Sequence, residues 1–351
     1  MDTPHPSRAL LVPGYDISRV IRGCWQLSTG HAPCSVQGRE EMIADLLAAI
    51  RAGIDTLDFG DIYLGVEEMV GEALNRLGTD ACSCVRLHTK YVPDAALLAS
   101  HTADNVRRIV ERSCKRLGRE MVDLVQFHWW NYAVPGYVDA MSALAQLQAE
   151  SRVRLVGVTN FDVPRMREFV EAGITPASIQ LQYSLLDRRP ENGMAEFCRA
   201  QGIAMLCYGT VAGGFLSERY LGVPAPDGAL TNRSLVKYRL IIEEFGGWDL
   251  FQELLRTLDR VAQQHACSIA TVASAYVLTR PQVAAVIIGA HDRQHLAENL
   301  AVASLHLTEH DLSEIAAVLA LSSGPSGDVY HLERYDPRHA GIMHTNNNSR
   351  S

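Results

Sequence analysis

Several absences narrow what this sequence can do. It has no surplus of positive charge: 32 Lys and Arg stand against 40 Asp and Glu, a formal net charge of −8. Clustered cations are what hold nucleic-acid phosphates, so nucleic acid is not an expected partner. No uninterrupted apolar run approaches the ~18 residues that a membrane span needs, and no membrane partner is expected either. The opening "MDTPHPSRAL" has no basic stretch leading into an apolar one, so no signal peptide is expected there. Cysteines at 24, 34, 82, 84, 114, 198, 207 and 267 lack paired metal-site spacing. Several sit in apolar segments, the pattern of reduced thiols in a cytoplasmic protein. Neither "LHTK" nor "FHWW" supplies a His-x-x-x-His or similar ligand pair, so no metal is expected. No G-x-G-x-x-G turn follows the first strand, which puts a doubly wound nucleotide-binding sheet second among the possible folds.

What is present is a rhythm. The chain has 351 residues and 47% apolar composition, ample for a sizeable core. Eight short apolar runs alternate with amphipathic helical stretches. They are "VIRGCWQL" (20–27), "IDTLDF" (54–59), "CVRLHTK" (84–90), "DLVQFH" (123–128), "VRLVGVTN" (153–160), "SIQLQYS" (178–184), "IAMLCYG" (203–209) and "VAAVIIGA" (283–290). Strands alternating with helices mean a parallel sheet, and eight such units predict an α/β fold, a (β/α)8 TIM barrel. The spacing divides the chain into an N-terminal arm (1–17), the barrel (18–321) and a C-terminal extension (322–351) whose end is expected to be disordered. Residues 210–249 make a late loop too long to be a plain connection. That loop and the tail near 324–340 carry Phe215, Tyr220, Tyr238, Phe245, Trp248, Tyr330 and Tyr335, and both are expected to close over a substrate.

A barrel of this kind keeps its active site at the carboxyl ends of the strands. The polar residues that end strands here are Asp58, Lys90, His128, Thr159, Asn160, Gln180 and Tyr208, with Tyr63 five residues beyond Asp58. An acid, an ammonium, an imidazole and a phenol thus converge on one rim. The set suits proton donation to a carbonyl oxygen. A phenol titrates near 10, and an ammonium about 4 Å away is expected to lower that value until desolvation opposes it. Asp58 keeps Lys90 charged, and a neutral His128 is expected to hydrogen-bond and orient the carbonyl oxygen. No side chain supplies a hydride, so the set requires a nicotinamide or flavin cofactor.

"DTLDFGDIYLGVEEMVGEAL", "LHTKY", "DLVQFHWW", "GVTNF" and "SIQLQYSLLDRRPE" resemble, in order, the motifs of the aldo-keto reductase family, with similarity running from about Val20 to Leu321. The resemblance implies an oxidoreductase on a (β/α)8 barrel, reducing an aldehyde or ketone with NADPH, NADH remaining possible. Its catalytic tetrad falls on Asp58, Tyr63, Lys90 and His128, with Tyr63 as proton donor. It places Thr159, Asn160 and Gln180 on the nicotinamide carboxamide, Tyr208 stacked on the ring, Gly209 at the pyrophosphate, and Glu298 and Asn299 at the adenine. Where many members carry Lys-Ser followed by an Arg, this chain has Gly289, Ala290 and then His295, leaving Arg293 as the cation for a 2′-phosphate. Trp25, Trp129, Trp130, Phe161 and Trp248 are candidates for an apolar substrate pocket. "HWW" and "FGGWDLFQ" resemble a little-characterised branch, so the resemblance speaks to reaction more than substrate. Two other functions stay open: a cofactor-binding regulatory or scaffold subunit, and an alcohol dehydrogenase working mainly in the oxidative direction. Oligomeric state is not legible.

Overall fold

Pro13 and Gly14 make the first turn of the chain. Pro presets φ for the first central position of a tight turn, and Gly14 takes φ +78°, as the second position requires. The turn joins β1 (Arg8–Val12) to β2 (Tyr15–Ser18) as an antiparallel hairpin, an element not anticipated in the arm 1–17. The structure, a computed structural model, describes residues 8–28, 38–226, 230, 232–289, 295–343 and 345.

Eight strands follow: β3 (Val20–Gly23), β4 (Thr56–Asp58), β5 (Arg86–Tyr91), β6 (Val122–Phe127), β7 (Val153–Thr159), β8 (Ser178–Gln182), β9 (Ala204–Tyr208) and β10 (Val283–Gly289). All pair in parallel and close in the order β10-β3-β4-β5-β6-β7-β8-β9, so the chain is a (β/α)8 barrel with one strand from each run predicted. Helices α1 (Arg39–Arg51), α2 (Val66–Leu77), α3 (Thr79–Ser83), α4 (Ala103–Leu117), α5 (Tyr137–Ala149), α6 (Val163–Glu171) and α7 (Met194–Gln201) connect the first seven barrel strands. The long 210–249 segment contains α8 (Arg233–Phe245) and the start of α9 (Trp248–Gln264), which leads to α10 (Ile269–Leu278). After β10 come α11 (Leu296–Ser304), α12 (Glu309–Leu319) and two short tail helices, α13 (His331–Tyr335) and α14 (Pro337–Ala340). Among the described residues no helix is long and apolar enough to cross a membrane.

The strand period of two decides which side chains enter the barrel. Toward the hairpin end the inward positions are apolar. Ile21, Leu124, Leu206, Ala285 and Ile287 pack with Leu11, Tyr15 and Ile17 of the hairpin in one buried cluster. Toward the carboxyl ends the inward positions are polar: Asp58, Lys90, Gln126, His128 and Gln180. The intervening residues point outward under the helices, as Phe127 does in the main core.

Candidate active site

β4 and β5 bring the first pair together. Lys90 Nζ donates to Asp58 Oδ1, and also to the Phe59 carbonyl at 2.8 Å. The second oxygen of Asp58 accepts from Gln126 Nε2 at 2.8 Å and from Gln180 Nε2 at 2.6 Å. A buried carboxylate needs such partners, and here they also hold the ammonium in one place. Lys90 Nζ lies 5.0 Å from the centre of the Tyr63 ring, which Trp25 meets edge-on at 4.7 Å. Burial pushes the Lys90 ammonium down, but Asp58 and Tyr63 reverse that and hold it above its ordinary value. For Tyr63 the outcome differs from the expectation. Burial raises the phenol, Lys90 lowers it and Asp58 raises it again, and the net direction is upward. Desolvation thus outweighs the ammonium, and the phenol is held protonated.

His128 ends β6 on the inward side. Its Nδ1–H donates to the Thr159 carbonyl at 3.0 Å. Burial, then the Arg334 guanidinium, push its pKa down to about 3 against the opposing pull of Thr159, so the ring is neutral. A neutral imidazole that donates from Nδ1 has only a lone pair on Nε2. That atom is buried and has no partner.

The two tryptophans after His128 part company. Trp130 meets His128 edge-on at 4.4 Å and gives its indole N–H to the Pro93 carbonyl. Trp129 points the other way, fully buried against Phe127, His101 and Tyr137. Phe161 belongs to the same outer aromatic cluster. Trp248 packs on Phe215, Tyr220 and Phe251. Of the five expected wall residues, the structure brings Trp25 and Trp130 to the polar layer; Trp129 and Phe161 pack behind it in the outer aromatic cluster, Phe161 just after the left-handed turn at Asn160.

Thr159, Asn160 and Gln180 meet where β7 and β8 end, with Thr159 in register with Gln180. Asn160 takes φ +61°, a left-handed conformation that Asn tolerates better than most residues. Its Oδ1 accepts from the Tyr208 hydroxyl at 2.9 Å, leaving Nδ2 as a free donor. Gln180 Nε2 is committed to Asp58 and to Gln126 Oε1, leaving its own Oε1 as a free acceptor. One donor and one acceptor on neighbouring strand ends match a primary carboxamide, so these residues fit a nicotinamide. Gly209 takes φ +77°, and a Cβ there would collide with the Tyr238 hydroxyl, so glycine is required. A Cβ at Gly289 would strike the Gln26 amide, whose Oε1 is buried without a partner. Glu298 and Asn299 lie on α11, where exposed Glu298 pairs with His295 Nδ1 at 3.2 Å. Ala290 and Arg293 lie outside the described residues. Among those residues no group of three His, Cys, Asp or Glu is placed to hold a metal.

The sequence expected the tail near 324–340 to close over the site, but not the contacts that hold it there. Tyr330, at φ +61°, sets its ring 5.7 Å from His128 and gives its hydroxyl to Met343 Sδ at 3.2 Å. Arg334 donates to the Trp130 carbonyl at 3.4 Å, and to the Asn160 carbonyl and the Tyr132 hydroxyl at 2.9 and 2.8 Å. Glu333, buried, takes a two-pronged bond from Arg189 at 2.9 and 3.1 Å, while Asp187 holds the other side of that guanidinium. Lys237 of α8 stands 3.7 Å from Glu333 and 5.4 Å from the centre of the Tyr208 ring. The tail and α8 therefore meet beside Tyr208, the tyrosine that the resemblance puts against a nicotinamide ring. Tyr335, by contrast, is 59% exposed.

The model of the aldo/keto reductase family matches residues 19–320. The NADH-specific methylglyoxal reductase of Escherichia coli (strain K12) is 27% identical over 318 residues, spanning 84% of this chain and 92% of its own. Protein tas of the same organism is 30% identical over 255 residues, spanning 67% and 71%. Among solved structures, a thermostable aldo-keto reductase with the inhibitor epalrestat has a TM-score of 0.68 at 25% identity, over 87% of this chain and 96% of that one. The glycerol dehydrogenase of Gluconobacter oxydans has a TM-score of 0.75 at 21% identity, over 93% and 98%.

Proposed function

The chain belongs to the aldo/keto reductase family, and from that premise we propose that it reduces an aldehyde or ketone to the alcohol with NADPH, Tyr63 being the proton donor. The observation that carries the reading is the buried Asp58–Lys90 ion pair beside the Tyr63 ring. A bound reduced nicotinamide supplies the hydride. Thr159, Asn160 and Gln180 hold its carboxamide, and Tyr208 stacks against it.

Tyr63 is held protonated by burial. As charge develops on the carbonyl oxygen, the Tyr63 hydroxyl gives it a proton and becomes a phenolate. Lys90 acts at that moment: its positive charge stabilises the phenolate and not the phenol, so it favours the transition state. Asp58, fixed by Gln126 and Gln180, keeps the ammonium aimed. Trp25, Trp130 and Tyr330 limit water around the reacting carbonyl.

NADPH over NADH rests on Arg293 in the sequence, an arginine being suited to a 2′-phosphate. The Escherichia coli relative is by its name NADH-specific. A fluorescence titration with both cofactors, followed by a panel of carbonyl substrates, tests the proposal. Tighter binding of NADPH by about tenfold or more, with cofactor oxidation on some carbonyl, is the expected result. Binding without turnover on any carbonyl favours a regulatory subunit and overturns the reductase reading.

A further inference from the structure

Gln126 is fully buried on β6, one strand period below His128. Its Nε2 donates to Asp58 Oδ2 at 2.8 Å, and its Oε1 accepts from Gln180 Nε2 at 2.9 Å. Gln180 Nε2 also donates to the same Asp58 oxygen at 2.6 Å, so the three side chains close a ring. Chemistry dictates the direction of every bond in it. A carboxylate paired with an ammonium accepts and does not donate, so both amides turn nitrogen toward Asp58. Gln126 then has only its oxygen for Gln180, and Gln180 only its oxygen for what lies beyond the ring.

The other oxygen of Asp58 takes the Lys90 ammonium. That ammonium has two claimants: Asp58 at all times, and the Tyr63 phenolate once its proton has left. Asp58 also opposes a charge on Tyr63 directly, where Lys90 favours it. Charge drawn into hydrogen bonds at Oδ2 is charge withheld from both effects. Two amide donors on that oxygen do this, and bonds to an ionised acceptor are roughly twice as strong as neutral ones. Gln126 supplies one donor and steadies the other by accepting from Gln180. The remaining titratable groups that face Tyr63 are Cys24, just after β3, and Tyr330 of the tail, and neither belongs to the ring.

Building on the carbonyl-reductase reading, we infer that Gln126 is a positioning residue that ties the cofactor's carboxamide to the proton donor. Acting through Asp58, it leaves the Lys90 charge available to Tyr63. Acting through Gln180, it keeps an acceptor oxygen turned toward the carboxamide. The ring joins the two tasks. A carboxamide N–H given to Gln180 Oε1 polarises the Gln180 amide and strengthens its bond to Asp58, since hydrogen bonds in a chain reinforce one another. Loading of the cofactor thereby eases proton release by Tyr63.

The experiment uses Gln126→Met, which keeps a side chain of similar length and removes both hydrogen bonds. The substrate is the carbonyl of the panel that is reduced fastest, and its alcohol serves for the oxidative direction. In the variant kcat should fall about tenfold or more, with KM for the carbonyl within about twofold of the parent. In alcohol oxidation Tyr63 must accept the proton, so the pH of half-maximal rate should rise by about one pH unit. A packing role alone would not move that midpoint. Parent-like kcat and midpoint in Gln126→Met overturn the inference while leaving carbonyl reduction intact. No turnover of any carbonyl by the parent overturns the reductase reading and the inference with it. Because Gln126→Met can fail to fold, the coupling is also read in the parent with the 3-acetylpyridine analogue of NADP, which lacks the amide N–H. Its oxidative midpoint should lie about 0.3 pH unit above that with NADP. Equal midpoints with the two cofactors overturn the inference whatever the variant does.

Discussion

Two buried histidines occupy the barrel, one facing each end, and their pKa values do not tell them apart. His88 is pushed down to about 3 by burial, Lys90 and Arg86; His128 is pushed down to about 3 by burial and Arg334. Each keeps one ring nitrogen without a partner. Their surroundings differ. His88 Nε2 shares a hydrogen bond of 3.2 Å with the Tyr15 hydroxyl, under a hairpin that seals the barrel with Leu11 and Ile17. His128 sits among an ion pair, a phenol and two aromatic rings. A perturbed pKa alone therefore does not mark a site; oriented charge around it does. The hairpin end is plugged by an apolar cluster with ion pairs only at its partly exposed rim, and the other end is closed by buried charges that must be paired. Damage at the two ends should accordingly differ in kind.

The largest effect belongs to the charged end. Lys90→Met removes the cation that stabilises the Tyr63 phenolate, so turnover should fall about a hundredfold or more with cofactor affinity little changed. Steady-state kinetics and a cofactor titration check both parts. Turnover near that of the parent would remove Lys90 from the mechanism.

Glu333→Ala comes next. It leaves Arg189 with Asp187 alone and Lys237 without its carboxylate, and breaking a buried pair costs about 3–5 kcal/mol. A lower melting temperature and a raised KM are expected, because Tyr330 and Arg334 lose their anchor over His128. The pH dependence has a definite sign. Burial alone would raise the Glu333 carboxyl, but Arg189 and Lys237 outweigh it and bring it down to about 2. Its folded value lies below the ordinary ~4.3, so the contribution is full above that range and is lost as pH falls toward 2. KM should therefore be steady from neutral pH down to about pH 5. A KM that climbs within that interval would show that Glu333 does not hold the tail.

Ile17→Ala at the hairpin end should lower stability by about 2–5 kcal/mol, a cavity in the apolar plug. It should leave kcat and KM unchanged. Equal damage to kinetics from this substitution would erase the distinction between the two ends.

Much of the polar layer was legible because a strand has a period of two and Asp58, Lys90 and His128 fall at or just past the ends of their strands. The same period also separates Trp129 from Trp130: with His128 inward, Trp129 must face out and Trp130 in. Grouping the tryptophans by composition concealed that. The net direction of the Tyr63 pKa was not legible, since burial is a property of the folded site. Gln126 was passed over because a glutamine inside an apolar run gives no sign that an aspartate waits on the next strand but one. The cover is the least local part. Arg189 and Glu333 are 144 positions apart, and no motif links them. Lys237 and Arg334 likewise read as ordinary helix-surface cations until the fold brings them to Tyr208 and His128.

The central claim is that the charged end of the barrel is a carbonyl-reduction site whose proton comes from Tyr63. The most direct test is a single turnover of bound NADPH by the carbonyl of the substrate panel that is reduced fastest, followed by cofactor absorbance in the parent and in Tyr63→Phe. The account predicts that the variant binds NADPH within about twofold of the parent but oxidises it at least about a hundredfold more slowly. Oxidation at the parent's rate, with normal binding, would contradict it.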